Sequence, residues 1–388
     1  MSKNLRKHRL KLGIFLSYRS PEEGGGFTIT NDILNSVLKS NQNHANLKFI
    51  ILNDKNEILK KQINNLGYDC YTLRESFILL KIKSFFFSFF PNFLKIYNFL
   101  GLNQYLNVQK KNNIDLVWFI SAEYYYPLFS KYISTVWDLQ HITHSSFPET
   151  GGFFRKIYRE KVISSFLINS FKIISGSNVL IKIMKNYYNI NSKKIIYNHH
   201  PTPKIFVKKK KLKSKISNLN NFFIYPANFW RHKNHSNLFE GFRNFNIQNK
   251  NKFKLVLVGD IKDKKYFKEI KKNFYKNFSK NFKILNFVKI DHLIRLYDNC
   301  LALVYSSYAG PENLPPLEAM ARRKPIICSN YDGAKEQLQN IPIYFDPSSP
   351  KSIEDALNQF TKKKLKVKYL IKPTEKYIQN IFDKLKVN

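Results

Sequence analysis

The segment Tyr308-Ala309-Gly310-Pro311-Glu312-Asn313-Leu314-Pro315-Pro316-Leu317-Glu318-Ala319 carries the residue types of an anion-binding loop. Ahead of it, Leu301-Ala302-Leu303-Val304-Tyr305 is short, apolar and partly β-branched, which reads as a buried strand. Behind it, Pro315 or Pro316 suits the first position of a helix, where a missing N–H costs nothing. A strand, a Gly/Pro loop and a helix start aim backbone N–H groups and the positive end of the helix dipole into the loop, which suits a diphosphate. Glu318, in the first turn, is placed to accept hydrogen bonds from sugar hydroxyls beside that phosphate. The plainer alternative is a helix start that only caps itself.

A second stretch, Tyr225-Pro226-Ala227-Asn228-Phe229-Trp230-Arg231-His232-Lys233-Asn234-His235, follows the apolar strand Phe222–Tyr225 and precedes an amphipathic helix. Arg231 offers a planar fork of donors and Lys233 a point charge, so the pair could clamp phosphates. In so basic a chain, two loop cations are also commonly just solvated. A third, Thr135-Val136-Trp137-Asp138-Leu139-Gln140-His141, ends a strand in a carboxylate and an imidazole, the side chain best suited to proton exchange near neutral pH. A capping aspartate and a satisfied loop histidine would look the same. Gly24-Gly25-Gly26, after the apolar run Leu12–Leu16, lets the chain pass close to a phosphate or an acceptor, or simply turn.

These stretches resemble family-4 retaining glycosyltransferases, in the branch with a Gly-Pro-x-Asn-x-Pro-Pro-x-Glu-Ala loop and a Trp-Asp-x-Gln-His run. The resemblance extends from about Ser134 to Asp346 and is weaker before that. It implies that Glu318 contacts the donor ribose. The partner glutamate, separated from the second by seven intervening residues in that family, is replaced here by Gly310, with Glu312 as a candidate substitute. It further implies that Lys233, with Arg231, Asn313 and Leu314, holds the donor phosphates, and that Gly25 and Gly26 lie on the donor or acceptor side. Asp138 and His141 are the implied catalytic pair, Trp137 standing where the family has a histidine.

Composition bounds the alternatives. With 388 residues, 43% hydrophobic and 24% charged, the chain is globular and long enough for two domains. Scattered Cys70, Cys300 and Cys328, and no apparent amino-terminal signal sequence, point to a reduced, cytoplasmic setting. No Asp-x-Asp pair or Cys/His ligand spacing occurs, so neither metal nor cofactor is expected. The net charge of +38 could serve nucleic acid, but the lysines are spread along the chain, so no nucleic-acid partner is expected. An anionic membrane surface is the other candidate. Ser76 to Leu106 mixes Phe and Lys in a pattern suited to an interfacial helix pair, or to helices packed on a sheet.

The periodicity alternates strand and helix twice. Strands are expected at Lys11–Tyr18, Leu47–Asn53, Asp115–Ser121, Ile133–Asp138 and Lys172–Ser175, then at Phe222–Tyr225, Lys254–Val258, Lys283–Phe287, Leu301–Tyr305, Pro325–Ser329 and Ile343–Phe345. This predicts an α/β fold of two doubly wound, Rossmann-like domains facing across a cleft, which the resemblance identifies as glycosyltransferase-B architecture. The expected divisions are an acceptor-binding domain at 1–200, a linker at 201–221, a nucleotide-sugar-binding domain at 222–370, and a helix at 371–388 that packs back on the first domain. The implied activity is metal-independent transfer, with retention, of a sugar from a nucleotide-diphosphate sugar to a glycan or lipid-linked acceptor. The implied setting is surface polysaccharide or lipopolysaccharide assembly, at the inner face of the plasma membrane. A nucleotide-sugar hydrolase or epimerase and a basic nucleic-acid-binding protein are the alternatives.

Overall fold

The computed structural model describes residues 9–17, 24–39, 45–52, 57–122, 125–126, 128–208, 219–275, 280–362 and 370–386. Short runs rich in Val, Ile, Leu and Phe form strands that can be covered on both faces, as parallel sheets require. The first sheet contains β1 (Lys11–Leu16), β2 (Asn46–Leu52), β3 (Asp69–Leu73), β4 (Leu116–Phe119), β5 (Tyr132–Val136), β6 (Lys172–Ser175) and β7 (Ile195–Tyr197). Its seven strands are ordered β3-β2-β1-β4-β5-β6-β7, all parallel. The second contains β8 (Phe222–Pro226), β9 (Lys254–Val258), β10 (Phe282–Leu285), β11 (Leu303–Tyr305), β12 (Ile326–Ser329) and β13 (Ile343–Phe345). Its six strands are ordered β10-β9-β8-β11-β12-β13, again parallel. In each sheet the strand order reverses beside the first strand, and the crevice beyond the carboxyl ends at that reversal is where such sheets bind ligands.

The helices that bear on the site are numbered α1 (Gly25–Lys39), α2 (Phe77–Phe89), α3 (Pro91–Phe99), α4 (Phe153–Asn169), α5 (Asn178–Tyr188), α6 (His235–Gln248), α7 (Ile290–Asn299), α8 (Leu314–Ala321), α9 (Pro350–Lys362) and α10 (Thr374–Lys386). All eleven expected strands are present, with ends shifted by a few residues. The sequence reading omitted β3 and β7, which lie at the two edges of the first sheet and are only partly buried. Tyr18, Asn53 and positions 209–218 of the expected linker fall outside the described residues; the linker's start includes a short helix, Lys204–Lys208.

One buried apolar cluster runs from the first sheet through Phe206 and Leu219 into the second domain and on to Tyr377, Ile381 and Phe382 of α10. The return of α10 to the first domain is fixed by polar contacts as well. Asn198 donates to the Tyr377 carbonyl at 2.9 Å, and Lys204 pairs with Glu375 at 2.6 Å. In the Phe-rich segment, α2 buries Leu80, Ser84 and Phe87, spaced to share one helix face, against the first domain. The following α3 turns away at 118° and buries no residue fully. Among the described residues no single helix is long and apolar enough to cross a membrane.

In the second domain α6 and α9 touch at Gly241, where an added Cβ would lie 2.6 Å from the Pro350 carbonyl oxygen and 2.8 Å from Ile353 Cβ. Gly241→Ala therefore forces the helices apart and is expected to cost roughly 1–3 kcal/mol, measurable by denaturant unfolding. An unchanged midpoint would contradict this packing.

Candidate functional site

The loops that follow β1, β5, β8 and β11 meet between the two sheets. They enclose a cavity of about 1310 Å³ whose lining includes Gly25, Asp138, His200, Lys233, Gly310 and Glu318. Both domains contribute, and every one of these loops leaves the carboxyl end of its strand.

The loop after β11 is held by a closed set of hydrogen bonds. The Gln337 side chain accepts from the Asn313 N–H at 3.0 Å and donates to the Asn313 carbonyl at 2.8 Å. Tyr305 Oη donates to Asn313 Oδ1 at 2.8 Å, and Asn313 Nδ2 donates to the Gly310 carbonyl at 2.8 Å. Gly310 has φ +111°, and a Cβ there would lie 2.6 Å from Asn313 Oδ1. The glutamate that family-4 enzymes carry at this position does not fit this loop conformation. The helix start also offers fewer donors than expected: Pro315 and Pro316 have no N–H, and that of Asn313 is taken by Gln337.

Lys233 supplies the positive charge that those missing donors do not. Its Nζ donates to Tyr305 Oη at 3.1 Å and to Ser307 Oγ at 3.4 Å. Burial pushes its ammonium down to about 8, a shift opposed by the nearby carboxylates of Asp138 and Glu149. Burial lifts the Glu318 carboxyl, which also lines the cavity, to about 7, although Tyr297 Oη donates to its Oε2 at 2.9 Å. Asp138, exposed at the cleft wall, accepts from the Gln140 N–H at 3.2 Å. Gly25 and Gly26 begin α1 and line the cavity. A Cβ at Gly25 would stand 3.1 Å from Leu314 Cδ1, so glycine lets the two domains approach here.

Two of the expected site residues are not placed among those lining the cavity. Arg231 is held by Asp263 at 3.3 Å and Glu269 at 3.0 Å, and its guanidinium lies 5.0 Å from the centre of the Tyr266 ring. His141 is buried with Nε2 3.1 Å from Tyr188 Oη and 3.6 Å from Glu160. Burial, aided by the charge of Arg159, pushes its imidazole down to about 4, so it is neutral at neutral pH. Glu312 does line the cavity, but its carboxylate is engaged with the first domain. It accepts from the His200 N–H at 3.0 Å and lies 3.0 Å from His199 Nδ1.

Two further contacts across the cleft had no signal in the sequence beyond the residue types themselves. Glu149, in the turn before α4, accepts from the His232 N–H at 2.7 Å, with His232 Nδ1 at 2.5 Å. Burial alone would raise the Glu149 carboxyl, but these hydrogen bonds outweigh it and hold it below the usual range. Glu336 accepts from the Asn178 N–H at 2.8 Å and from Tyr197 Oη at 2.7 Å, placing a negative charge at the start of α5. Among the described residues, no group of three or more His, Cys, Asp or Glu side chains is arranged to hold a metal ion.

Residues 206–377 match the family model described as glycosyl transferases group 1. Over 234 residues the chain is 25% identical to the O-antigen chain mannosyltransferase RfbU of Salmonella typhimurium, an overlap of 60% of this chain and 61% of that protein. It thus spans less than two thirds of that relative's length. Among the solved structures that it resembles are two that match nearly throughout. HepE of Anabaena, in complex with UDP and glucose, superposes with a TM-score of 0.64 at 14% identity, covering 98% of this chain and 100% of that one. A glycosyltransferase from Rickettsia africae gives 0.61 at 15%, covering 97% and 94%. At such identities the likeness establishes the fold, which is the two-domain glycosyltransferase-B architecture.

The raised Glu318 carboxyl has a consequence for stability. A carboxyl whose folded-state value lies above its ordinary 4.5 contributes stability that is fully present below that value and is lost as pH rises through about 7. Glu318→Gln keeps the shape and the acceptor for Tyr297. It is expected to be neutral at about pH 4 and stabilising at pH 8 by roughly 1–3 kcal/mol. Equal effects at both pH values in thermal unfolding would contradict a buried, costly charge at this position.

Proposed function

We propose that this chain is a glycosyltransferase that takes a sugar from a nucleotide-diphosphate donor. The observation that carries the proposal is that the stretch matching glycosyl transferases group 1 is the one that supplies Lys233, Asn313 and Glu318 to the cleft. The second domain would hold the donor: the diphosphate between Lys233 and the start of α8, and the ribose hydroxyls on the Glu318 carboxylate. As the glycosidic bond breaks, negative charge grows on the departing diphosphate. A preorganised ammonium and the positive end of a helix stabilise that charge without rearrangement. The reacting sugar passes through an oxocarbenium-like state, and closure of the two domains keeps water from capturing it.

On the other wall, Asp138 is the carboxylate assigned to face the transferred sugar and the acceptor. No role in catalysis is assigned to His141, nor in donor binding to Arg231. Transfer with retention and without a metal, as in the family-4 enzymes that the motifs resemble, is part of this reading. The likeness to an O-antigen chain mannosyltransferase supports an acceptor in surface polysaccharide or lipopolysaccharide assembly. Gly310 belongs to the donor loop as a constraint on its shape rather than as a sugar ligand.

The test is calorimetric titration of UDP, GDP and ADP into the chain at low and moderate salt. One nucleotide is expected to bind selectively, with affinity that largely survives the salt. Its affinity should fall as pH rises above about 8, where Lys233 loses its proton. Lys233→Met should weaken binding by about 10- to 100-fold, as expected for loss of one charge-assisted contact of about 1.5–3 kcal/mol, and should remove the alkaline fall. Equal, weak binding of all three that vanishes with salt would mean that only the +38 charge is being measured.

A further inference from the structure

The face formed by α2, α3 and the start of α4 takes no part in the cleft or, among the described residues, in the packing of the second domain. It exposes Ile78 at 71%, Phe93 at 52%, Phe99 at 89% and Phe154 at 83%. Large apolar side chains this exposed are ordinary one at a time, but a contiguous group marks an interaction surface. Aromatic contacts join the three helices into one face. Phe86 packs with Phe90 at 5.2 Å and with Phe93 at 5.6 Å, joining the outer side of α2 to α3. Phe85 stacks on Tyr158 at 5.9 Å, joining α2 to α4. The inner side of α2 is already committed to the first domain through Leu80 and Phe87, so packing within the fold does not explain the outer side.

Along α2 and α3 the charge has one sign. No Asp or Glu occurs from Ser76 to Ile114, while Lys81 and Lys95 are exposed there and Lys161 reaches over the Phe89 ring at 5.5 Å. Apolar bulk flanked by lysines is the composition that enters the boundary between lipid headgroups and acyl chains, drawn by both burial and anionic lipid. The 118° bend between α2 and α3 keeps them from forming one straight span. We propose that this face docks on an anionic lipid bilayer.

Its position gives the docking a purpose, which rests on the glycosyltransferase reading. Phe153 follows by four residues Glu149, the residue that contacts His232 across the cleft. Phe147 in the same turn lies 5.8 Å from Tyr308 of the second domain. A bilayer against this face is therefore beside the cleft mouth, and the acceptor class it would present is a saccharide attached to a membrane lipid.

Because any +38 protein adheres to negative vesicles, the test must separate insertion from charge. The triple variant Ile78→Gln, Phe93→Gln, Phe99→Gln keeps every charge and alters only exposed positions. Co-sedimentation of the full chain with phosphatidylcholine vesicles containing about 30% phosphatidylglycerol, at about 0.3 M salt to screen surface charge, is the measurement. The parent is expected to bind at least about tenfold better than to pure phosphatidylcholine, and the triple variant to lose at least about tenfold, given the apolar area removed. Equal binding by parent and variant would overturn the proposal. So would a parent that ignores vesicles but self-associates in light scattering while the variant is monomeric, since that assigns the face to a second copy of the chain. Calorimetric nucleotide binding by the variant, expected to equal the parent's, keeps this result independent of the donor site.

Discussion

The cleft depends on carboxylates that cross between the domains. Glu312 and Glu336 of the second domain reach the first, and Glu149 of the first reaches the second. Each accepts from a backbone N–H, and hydrogen bonds to an ionised acceptor are worth about 1.5–3 kcal/mol apiece. Glu312 also explains a glycine far from any motif: a Cβ on Gly176 would occupy the place of its carboxylate. In a chain with 65 Lys and Arg against 27 Asp and Glu, attraction between domains is not supplied by general charge balance. Beside the shared apolar cluster, these carboxylates supply specific attraction around the cavity that contains Lys233 and Glu318.

That cavity carries opposed electrostatics on its second-domain wall. Burial destabilises both the Lys233 ammonium and the Glu318 carboxylate, and among the described residues neither makes an ion pair that would remove its charge from use. Groups held this way are costly to the fold and useful to a ligand that brings the complementary partner. A diphosphate answers the lysine and vicinal hydroxyls answer the glutamate, so one nucleotide satisfies both. The Asn313–Gln337–Tyr305 network holds the intervening loop rigid, which lowers what must be ordered on binding.

How far the sequence revealed this differed by residue. The strands of both sheets were legible where they are buried on two faces, as in Lys254–Val258 and Ile326–Ser329. The omitted β3 and β7 are sheet edges, where half-exposure dilutes the apolar pattern. Lys233 and Glu318 could be placed because their loops follow clear strands and their motif spacing is distinctive. Arg231 is held by Asp263 and Glu269 away from the cavity lining, and nothing local announces partners more than thirty residues away. His141 follows Asp138 in sequence, yet the short helix after β5 turns its ring into a pocket with Tyr188. The crossing carboxylates were the least legible, since Glu149 and His232 are ordinary residues until the two domains meet.

The central claim is that a nucleotide diphosphate lies between the domains with its charge on Lys233 and its ribose on Glu318. A crystal structure of the chain with the nucleotide that it binds tests this most directly. The account predicts the terminal phosphate within about 3.5 Å of Lys233 Nζ, ribose hydroxyls on the Glu318 carboxylate, and Glu312, Glu336 and Glu149 still bridging the domains. Phosphates held instead by Arg231, or a nucleotide bound outside the cleft with Lys233 and Glu318 untouched, would contradict it.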